Sequence, residues 1–340
     1  MVTILVPNFN NAVYLDDFFS SLIAQTFKNF KVLFSDDCST DNSVSIAESY
    51  QDRLNIEIIK TPKNLHLVGN LNFAIKKIQT KYFIKIDPDD YIEKNAIQLV
   101  LSKAESENLD ICGCQLRTFG KYKTSEQNPI DLEEIYLITS LFPCVAQFLF
   151  KTEVFENLSY REVKGAEDFD FWIQAVKSGL KIGAVNVVLL NYRIHNTNAT
   201  VVLKESIDRT VISVRKQAIL LNYQCTIHDL DLLSEIPSFG ATNIYELTLY
   251  KDFIMALYER NSIKSKIFKR CLAKWFLRIC LVSSNNVGFS TFVLFKKTPE
   301  IFHFLSRSEV LGLFVVSFFG LNEKSNTYIK LKSIFKRLKP

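Results

Sequence analysis

Carboxylates crowded along a chain repel one another unless a cation, a proton or hydrogen-bond donors compensate them. Three crowded groups are therefore the first places to look for chemistry in this sequence. In Phe34-Ser35-Asp36-Asp37-Cys38-Ser39-Thr40-Asp41, the doublet Asp36-Asp37 follows an apolar run and can accept hydrogen bonds from a base or a ribose. Asp41 and Ser43 stand where a cap would open the next helix. In Ile86-Asp87-Pro88-Asp89-Asp90-Tyr91, three carboxylates fall within four positions, again after an apolar run. They suit a hard divalent cation, which takes oxygen ligands and commonly bridges to phosphate; a helix start enriched in acids is the simpler alternative. In Gly165-Ala166-Glu167-Asp168-Phe169-Asp170-Phe171-Trp172, acids at a helix start lie among aromatics. Such a carboxylate can hold a raised pKa and act as a general base, although the helix dipole explains it almost as well.

Two further segments carry weaker signals. In Val6-Pro7-Asn8-Phe9-Asn10, Pro7 is expected to end a strand and Phe9 offers a flat face for a nucleobase. An ordinary strand exit fits equally well. His195, in Tyr192-Arg193-Ile194-His195, lies downstream of the third acidic group and can complete a metal or phosphate site. The other histidines, His66, His228 and His303, have no such company. The seven cysteines form no CxxC pair and no zinc-like spacing with histidine, and their odd number points to a reducing, cytoplasmic compartment.

These residues need elements to hold them. Apolar runs at 3–6, 31–35, 56–60, 82–86 and 110–116 read as parallel strands buried on both faces. Amphipathic stretches at 13–24, 43–50, 68–78 and 96–106 lie between them as helices. A strand at 145–151, a helix at about 167–178 and extended segments at 182–190 and 192–195 follow. The alternation predicts a Rossmann-like α/β fold with a mostly parallel sheet, whose ligand crevice lies at the carboxyl ends of the strands. From residue 204 the pattern turns helical, at 206–221, 243–260 and 265–281, so the expected division is 1–203 and 204–340. Val2–Val6 runs straight into Pro7 without a basic leader and reads as a strand.

In order and spacing, Val6–Asn10, Gln25-Thr26-Phe27, Ser35–Asp41, the Asp87-Pro88-Asp89 form of DxD and Glu167-Asp168 resemble glycosyltransferase family 2 over about residues 1–200. The resemblance implies a GT-A fold and an inverting, metal-dependent, hexosyltransferase-type enzyme using Mn2+ or Mg2+. It implies transfer from a nucleoside-diphosphate sugar, a UDP-sugar favoured, to a hydroxyl of a glycan or lipid-linked glycan in bacterial lipopolysaccharide, O-antigen or capsule assembly. On this likeness Asp37 contacts the base, with Asp36 and Asn10 beside it and Pro7 and Phe9 lining the pocket. Asp87 lies toward the ribose or sugar, Asp89 is the chief metal ligand, and His195 helps hold metal or diphosphate. Asp168 deprotonates the acceptor, with Glu167 next to it. Many relatives carry Arg-Asn-x-Gly where this chain has Leu71-Asn72-Phe73-Ala74, and the Gln-x-x-Arg-Trp signature of processive synthases is missing.

Other classes fit less well. A nucleotidyltransferase should show a basic, glycine-rich phosphate loop after the first strand, which is not there. A non-catalytic nucleotide-sugar-binding homologue would not need both Asp89 and Asp168. The charge is lopsided: residues 260–340 carry 16 Lys/Arg against Glu300, Glu309 and Glu323, so the rest of the chain is net acidic. Lys266, Arg270, Lys274 and Arg278 recur every four residues beside apolar Leu272, Trp275, Phe276 and Ile279. That pattern, with the apolar run 310–321 and the mixed segment 328–339, suits a helix lying on an anionic membrane at the inner face of the cell membrane. A basic face over a helical core is the plainer alternative. No recognition motif accompanies the charge, so nucleic acid is not an expected partner, and no stretch reaches the ~20 apolar residues of a membrane span.

Overall fold

The strand Val2–Asn8 (β1) is buried at every position, and it sits at the middle of the sheet that organises the first part of the protein. The computed structural model describes residues 1–120, 149–163, 165–196, 198, 204–260 and 266–321. Of these, the residues up to Thr210 form one compact unit and those from Val211 onward a second.

In the first unit, β1 is flanked by Phe30–Asp36 (β2) and Tyr82–Lys85 (β4), with Ile56–Lys60 (β3) beyond β2, all parallel. Tyr91–Ile92 (β5), Ile111–Gly120 (β6), Leu149–Lys151 (β7) and Ile182–Ile194 (β8) complete an eight-stranded sheet in the order β3-β2-β1-β4-β7-β6-β8-β5. β7 runs antiparallel to β4 and β6, and β5 antiparallel to β8, so the sheet is mixed at one side of an otherwise parallel array. Residues 121–148, which contain the first part of the expected strand 145–151, lie outside the described residues.

Successive strand residues face opposite sides, and both sides are covered. Ile4, Val6, Val32 and Phe34 join Phe18, Phe19 and Leu22 of helix Leu15–Ile23 (α1) and Ile97 and Val100 of helix Ala96–Ser106 (α4). Ser43–Ser49 (α2) adds Ala47 to the same core. On the other side Phe83 stacks on Phe150, and Phe155 and Tyr160, with Phe171 from helix Glu167–Lys177 (α5), continue the aromatic layer. Helix His66–Ile75 (α3) packs over β1 and β2.

The expected break between residues 190 and 192 is not there: β8 runs unbroken through Asn191. Asn191, 0% exposed within the strand, donates its amide to Glu93 Oε1 at 3.0 Å, while its Oδ1 is buried without a protein partner. Pro7 also does not end its strand, since β1 continues to Asn8 opposite Asp36. The ladder between β1 and β4 stops at Leu5, so the N–H that Pro7 lacks points to a side with no strand to receive it.

The second unit is helical: the end of Lys204–Asn222 (α6), then Ile227–Phe239 (α7), Ile244–Arg260 (α8), Lys266–Val287 (α9), Ser290–Lys296 (α10), Pro299–Phe302 (α11) and Arg307–Phe319 (α12). α7 is an element that the sequence pattern did not single out. Its Pro237 masks the helix signal, yet Thr226 opens it by accepting from Asp229 N at 3.1 Å. The apolar side of α9 turns inward. α9 is packed against α7, α8, α10, α11 and α12, and Leu272, Trp275, Phe276 and Ile279 are core residues. Arg270 and Arg278 are exposed and Lys274 half-buried, a basic face over a helical core. The segment 328–339 lies outside the described residues.

The bond that joins α3 to the sheet offers a test. Asn70, 2% exposed, faces Ser35 twice: its Oδ1 meets Ser35 Oγ, and its Nδ2 donates to Ser35 O at 3.0 Å. Asn70→Ala strands both Ser35 groups in the interior and should lower stability by ~1–3 kcal/mol in urea unfolding. An unchanged midpoint and slope would show that the Ser35 groups find other partners.

Candidate active site

Three strands, β1, β2 and β4, run in the same direction and in register, so their carboxyl ends open at one edge. Asn8, Asp36-Asp37 and the Asp87–Asp90 run are delivered to that edge by backbone geometry alone.

At β2 the doublet is held by donors. Asp36, 2% exposed, accepts from Asn8 Nδ2 at 2.9 Å and from Ser39 N at 3.0 Å. Asp37 accepts from Thr61 Oγ1 at 2.7 Å and Leu65 N at 2.8 Å, while its own N–H donates to Asn8 O. Asn10, in the left-handed region at φ 55°, accepts Thr40 N at 2.8 Å and donates its backbone N–H to Ser39 Oγ. Phe9 is 46% exposed beside this loop, and Pro7 is buried in β1. Asn8 Oδ1 is buried without a protein partner, an acceptor left for water or a ligand. Asp41 is not the cap residue of α2, a position held by Asn42. Its carboxylate accepts Ser43 N, Ser43 Oγ and Ala12 N instead. Partial burial pushes its pKa up, but those bonds outweigh it and hold Asp41 below the ordinary carboxylate range.

At β4 each acid has its own compensation. Asp87 pairs with Lys85 Nζ at 2.8 Å. Asp89 Oδ2 meets His195 Nε2 at 3.0 Å and accepts Asn198 Nδ2 at 3.3 Å. Burial, and then the Asp87 charge, still raise its pKa. Asp90, 2% exposed, accepts Arg193 N at 2.8 Å, and burial followed by Asp89 and Asp87 pushes it well above the ordinary value. The Arg193 guanidinium donates to Asp89 O and to Asp17, and lies over the rings of Phe119 and Tyr14. Tyr14 also stacks on His195, with ring centroids 4.9 Å apart. The last turn of β8 is thus fastened onto the acidic run from several sides.

Glu167 and Asp168 open α5. Burial first, then Asp168, lift Glu167 to about 7, with Lys85 opposing and Asp87 adding to the shift. Tyr160, 3% exposed, is raised by burial, with Lys85 opposing and Asp168, Glu167 and Asp87 adding. These couplings put Lys85, Asp87, Tyr160, Glu167 and Asp168 in one electrostatic neighbourhood. For Lys85 burial disfavours the ammonium, but Asp87 and then Tyr160 and Glu167 reverse this and keep it charged. Asp170 is excluded as a base, being 1% exposed and bound to Arg161 and Gln174.

The residues missed from sequence were the compensating ones. Lys85, a cation inside an apolar strand next to an acidic run, was a visible signal. Asn198, 7% exposed and bonded to both Asp89 and the His195 backbone, gave none. Asn72 fixes Tyr160 by bonding both its N–H and its carbonyl. Among the described residues no three His, Cys, Asp or Glu side chains converge on one point. Asp89 and His195 are instead hydrogen-bonded to each other.

The sequence model of glycosyl transferase family 2 matches residues 3–158, the stretch that carries β1, β2, β4 and the first two acidic groups. Over those residues the chain is similar to family 2 glycosyl transferases. A Haemophilus influenzae protein described as an uncharacterized glycosyltransferase is 25% identical over 64% of this chain and 73% of its own. TarS of Staphylococcus aureus, a poly(ribitol-phosphate) β-N-acetylglucosaminyltransferase, is 25% identical over 54% of this chain, a match spanning 34% of TarS. Residues 1–349 of TarS, crystallised with UDP-GlcNAc, superpose with a TM-score of 0.55 at 17% identity, covering 93% of this chain and 90% of that one. The mannosyltransferase PcManGT from Pyrobaculum calidifontis, with GDP-Man and Mn2+, gives 0.52 at 13% identity, covering 78% and 76%. The fold is GT-A, with a helical C-terminal region.

The Glu167 shift has a consequence for stability. The folded protein keeps the Glu167 proton to about pH 7, whereas the unfolded chain loses it near 4.5. The contribution is present below pH 4.5 and lost as pH rises through about 7. Glu167→Gln should therefore lose less stability than the parent between those two pH values in urea unfolding. Equal pH dependence would place the repulsion elsewhere.

Proposed function

We propose that this protein moves a sugar from a nucleoside-diphosphate sugar to a hydroxyl of a surface-glycan acceptor, in one inverting, metal-dependent displacement. The observation that carries this reading is the gathering of two acidic groups at the carboxyl edge of a parallel sheet, one donor-satisfied and one poised around Asp89 and His195. Asp36 and Asp37, each held by protein donors, present the base and ribose side, with Asn10 shaping the loop and Phe9 and Pro7 lining it. Asp87 faces the ribose or sugar. A relative bound to UDP-GlcNAc supports a UDP-sugar donor, and a structural neighbour with GDP-Man and Mn2+ supports a divalent cation.

Asp89 and His195 would hold that cation, manganese or magnesium, and when bound it neutralises charge on the departing diphosphate. Asn198 and Arg193 keep the pair in place through Asp89 and the β8 backbone. Asp168 takes the proton from the attacking hydroxyl. Glu167 shares the position without adding a full second charge, because burial and Asp168 lift it to about 7. Tyr160 and Lys85 set the potential beneath both acids. Attack opposite the leaving group inverts the anomeric carbon and needs no covalent intermediate.

Two substitutions separate binding from chemistry. Asp89→Ala should abolish the manganese-dependent part of nucleoside-diphosphate binding in calorimetry. Unchanged affinity with manganese would remove Asp89 from the metal site. Asp168→Asn should keep donor affinity while turnover falls by ~10² or more, the usual scale for a general base. Near-normal turnover would move the base to Glu167.

A further inference from the structure

The helical unit leaves a group of large apolar residues outside its core. Along α12, Leu311, Phe314, Phe318 and Phe319 are 47%, 37%, 61% and 66% exposed. Phe289 and Val293, at the start of and within α10, are 41% and 44% exposed. These side chains form one surface. Phe314 lies 5.2 Å from Phe292 and 5.7 Å from Phe289 between ring centroids, and Phe318 continues the row at 5.9 Å. The spacing 307, 311, 314, 318 is a single helix stripe, so the face follows from sequence periodicity as well as from packing.

A groove of about 600 Å³ runs beside this row, lined by Phe292, Phe302, His303, Arg307, Leu311 and Phe314 among others. None of its lining residues is acidic. Lys296, Lys297 and Arg307 are exposed at the end of the face away from Phe318, and Lys296 Nζ lies 5.9 Å from the Phe292 ring centre. Aromatic side chains at one end and cations at the other match the two layers of an anionic bilayer surface, acyl boundary and head groups.

We propose that the α10–α12 face is where this protein lies on an anionic membrane, with Phe314, Phe318 and Phe319 entering the acyl boundary and Lys296, Lys297 and Arg307 meeting phosphate head groups. The charge of the region selects this occupant over a second copy of the chain. On α10–α12 the exposed charges are Lys296, Lys297 and Arg307 against Glu300, with Glu309 engaged in the Ser306 cap, so self-pairing through this face sets like charges against each other. No helix among the described residues is long and apolar enough to cross a membrane, which makes surface residence the form of contact available to these helices. The proposal is independent of the transfer reaction and of the α9 basic face.

Flotation of the full chain tests it, using vesicles of phosphatidylcholine with and without phosphatidylglycerol, at low and physiological salt. The parent protein should float with the anionic vesicles and remain behind with the neutral ones. Phe318→Ser with Phe319→Ser should weaken partition about tenfold or more, the scale for losing two inserted aromatics. Lys296→Glu with Arg307→Glu should do likewise, and it carries the test if the aromatic pair fails to fold. Thermal midpoints and solution mass should match the parent. No flotation of the parent at either salt, or equal flotation of a folded variant, overturns the proposal. So does a parent oligomer that falls to monomer in the Phe318→Ser, Phe319→Ser variant, which assigns the face to a second copy.

Discussion

Like charges at the edge of a buried sheet are the constraint around which the first unit is arranged. Asp36, Asp37, Asp87, Asp89, Asp90 and Glu167 all stand where parallel strands end or an adjoining helix begins, and three of them are 2% exposed. Repulsion in such a place is costly unless each charge meets a donor, a cation or a proton. The protein uses all three. Backbone and hydroxyl donors serve Asp36 and Asp37, Lys85 serves Asp87, the His195–Asn198 pair serves Asp89, and Glu167 is lifted to about 7. Much of the remaining architecture follows from delivering these partners. β8 has to continue past Asn191 to bring Arg193 and His195 to the acids, and Glu93 makes that continuation possible.

That arrangement also explains why the site is polarised. At the Asp36-Asp37 end protein donors hold both carboxylates and leave Asn8 Oδ1 without a protein partner, which suits recognition of a neutral base or ribose. The Asp89 end keeps a raised carboxylate beside a histidine, which gains most from a positive charge. On the proposed reading, a nucleoside-diphosphate sugar laid along the edge would meet recognition at one end and charge neutralisation at the other.

The acids themselves were legible in the sequence because crowded carboxylates after apolar runs have few structural explanations. The strands and most helices were legible for the same periodic reasons. What escaped notice was held by tertiary partners. Pro7 stays in a strand because its neighbour has ended, and Asn191 stays in another because Glu93 receives it. Asn198 has no local signature at all, since its role depends on β8 meeting the β4 loop. In the helical unit the pattern of α9 was read correctly as amphipathic, but its apolar side is enclosed by five other helices. Amphipathicity alone does not say whether a face meets protein or lipid. The buried hydroxyls of Ser284, Thr291 and Ser317 bond one another between α9, α10 and α12, which ties the inner sides of the last two helices to α9 while their aromatic stripe faces outward.

The central claim is that the acidic edge works on a nucleoside-diphosphate sugar rather than merely binding one. Release of free nucleoside diphosphate from a panel of UDP- and GDP-sugars, followed over time with manganese and then with an added chelator, tests it most directly. The account predicts slow hydrolysis or transfer with at least one donor, stopping when the chelator is added. Binding of a donor without any release, in the presence of manganese and a range of glycan acceptors, would contradict it.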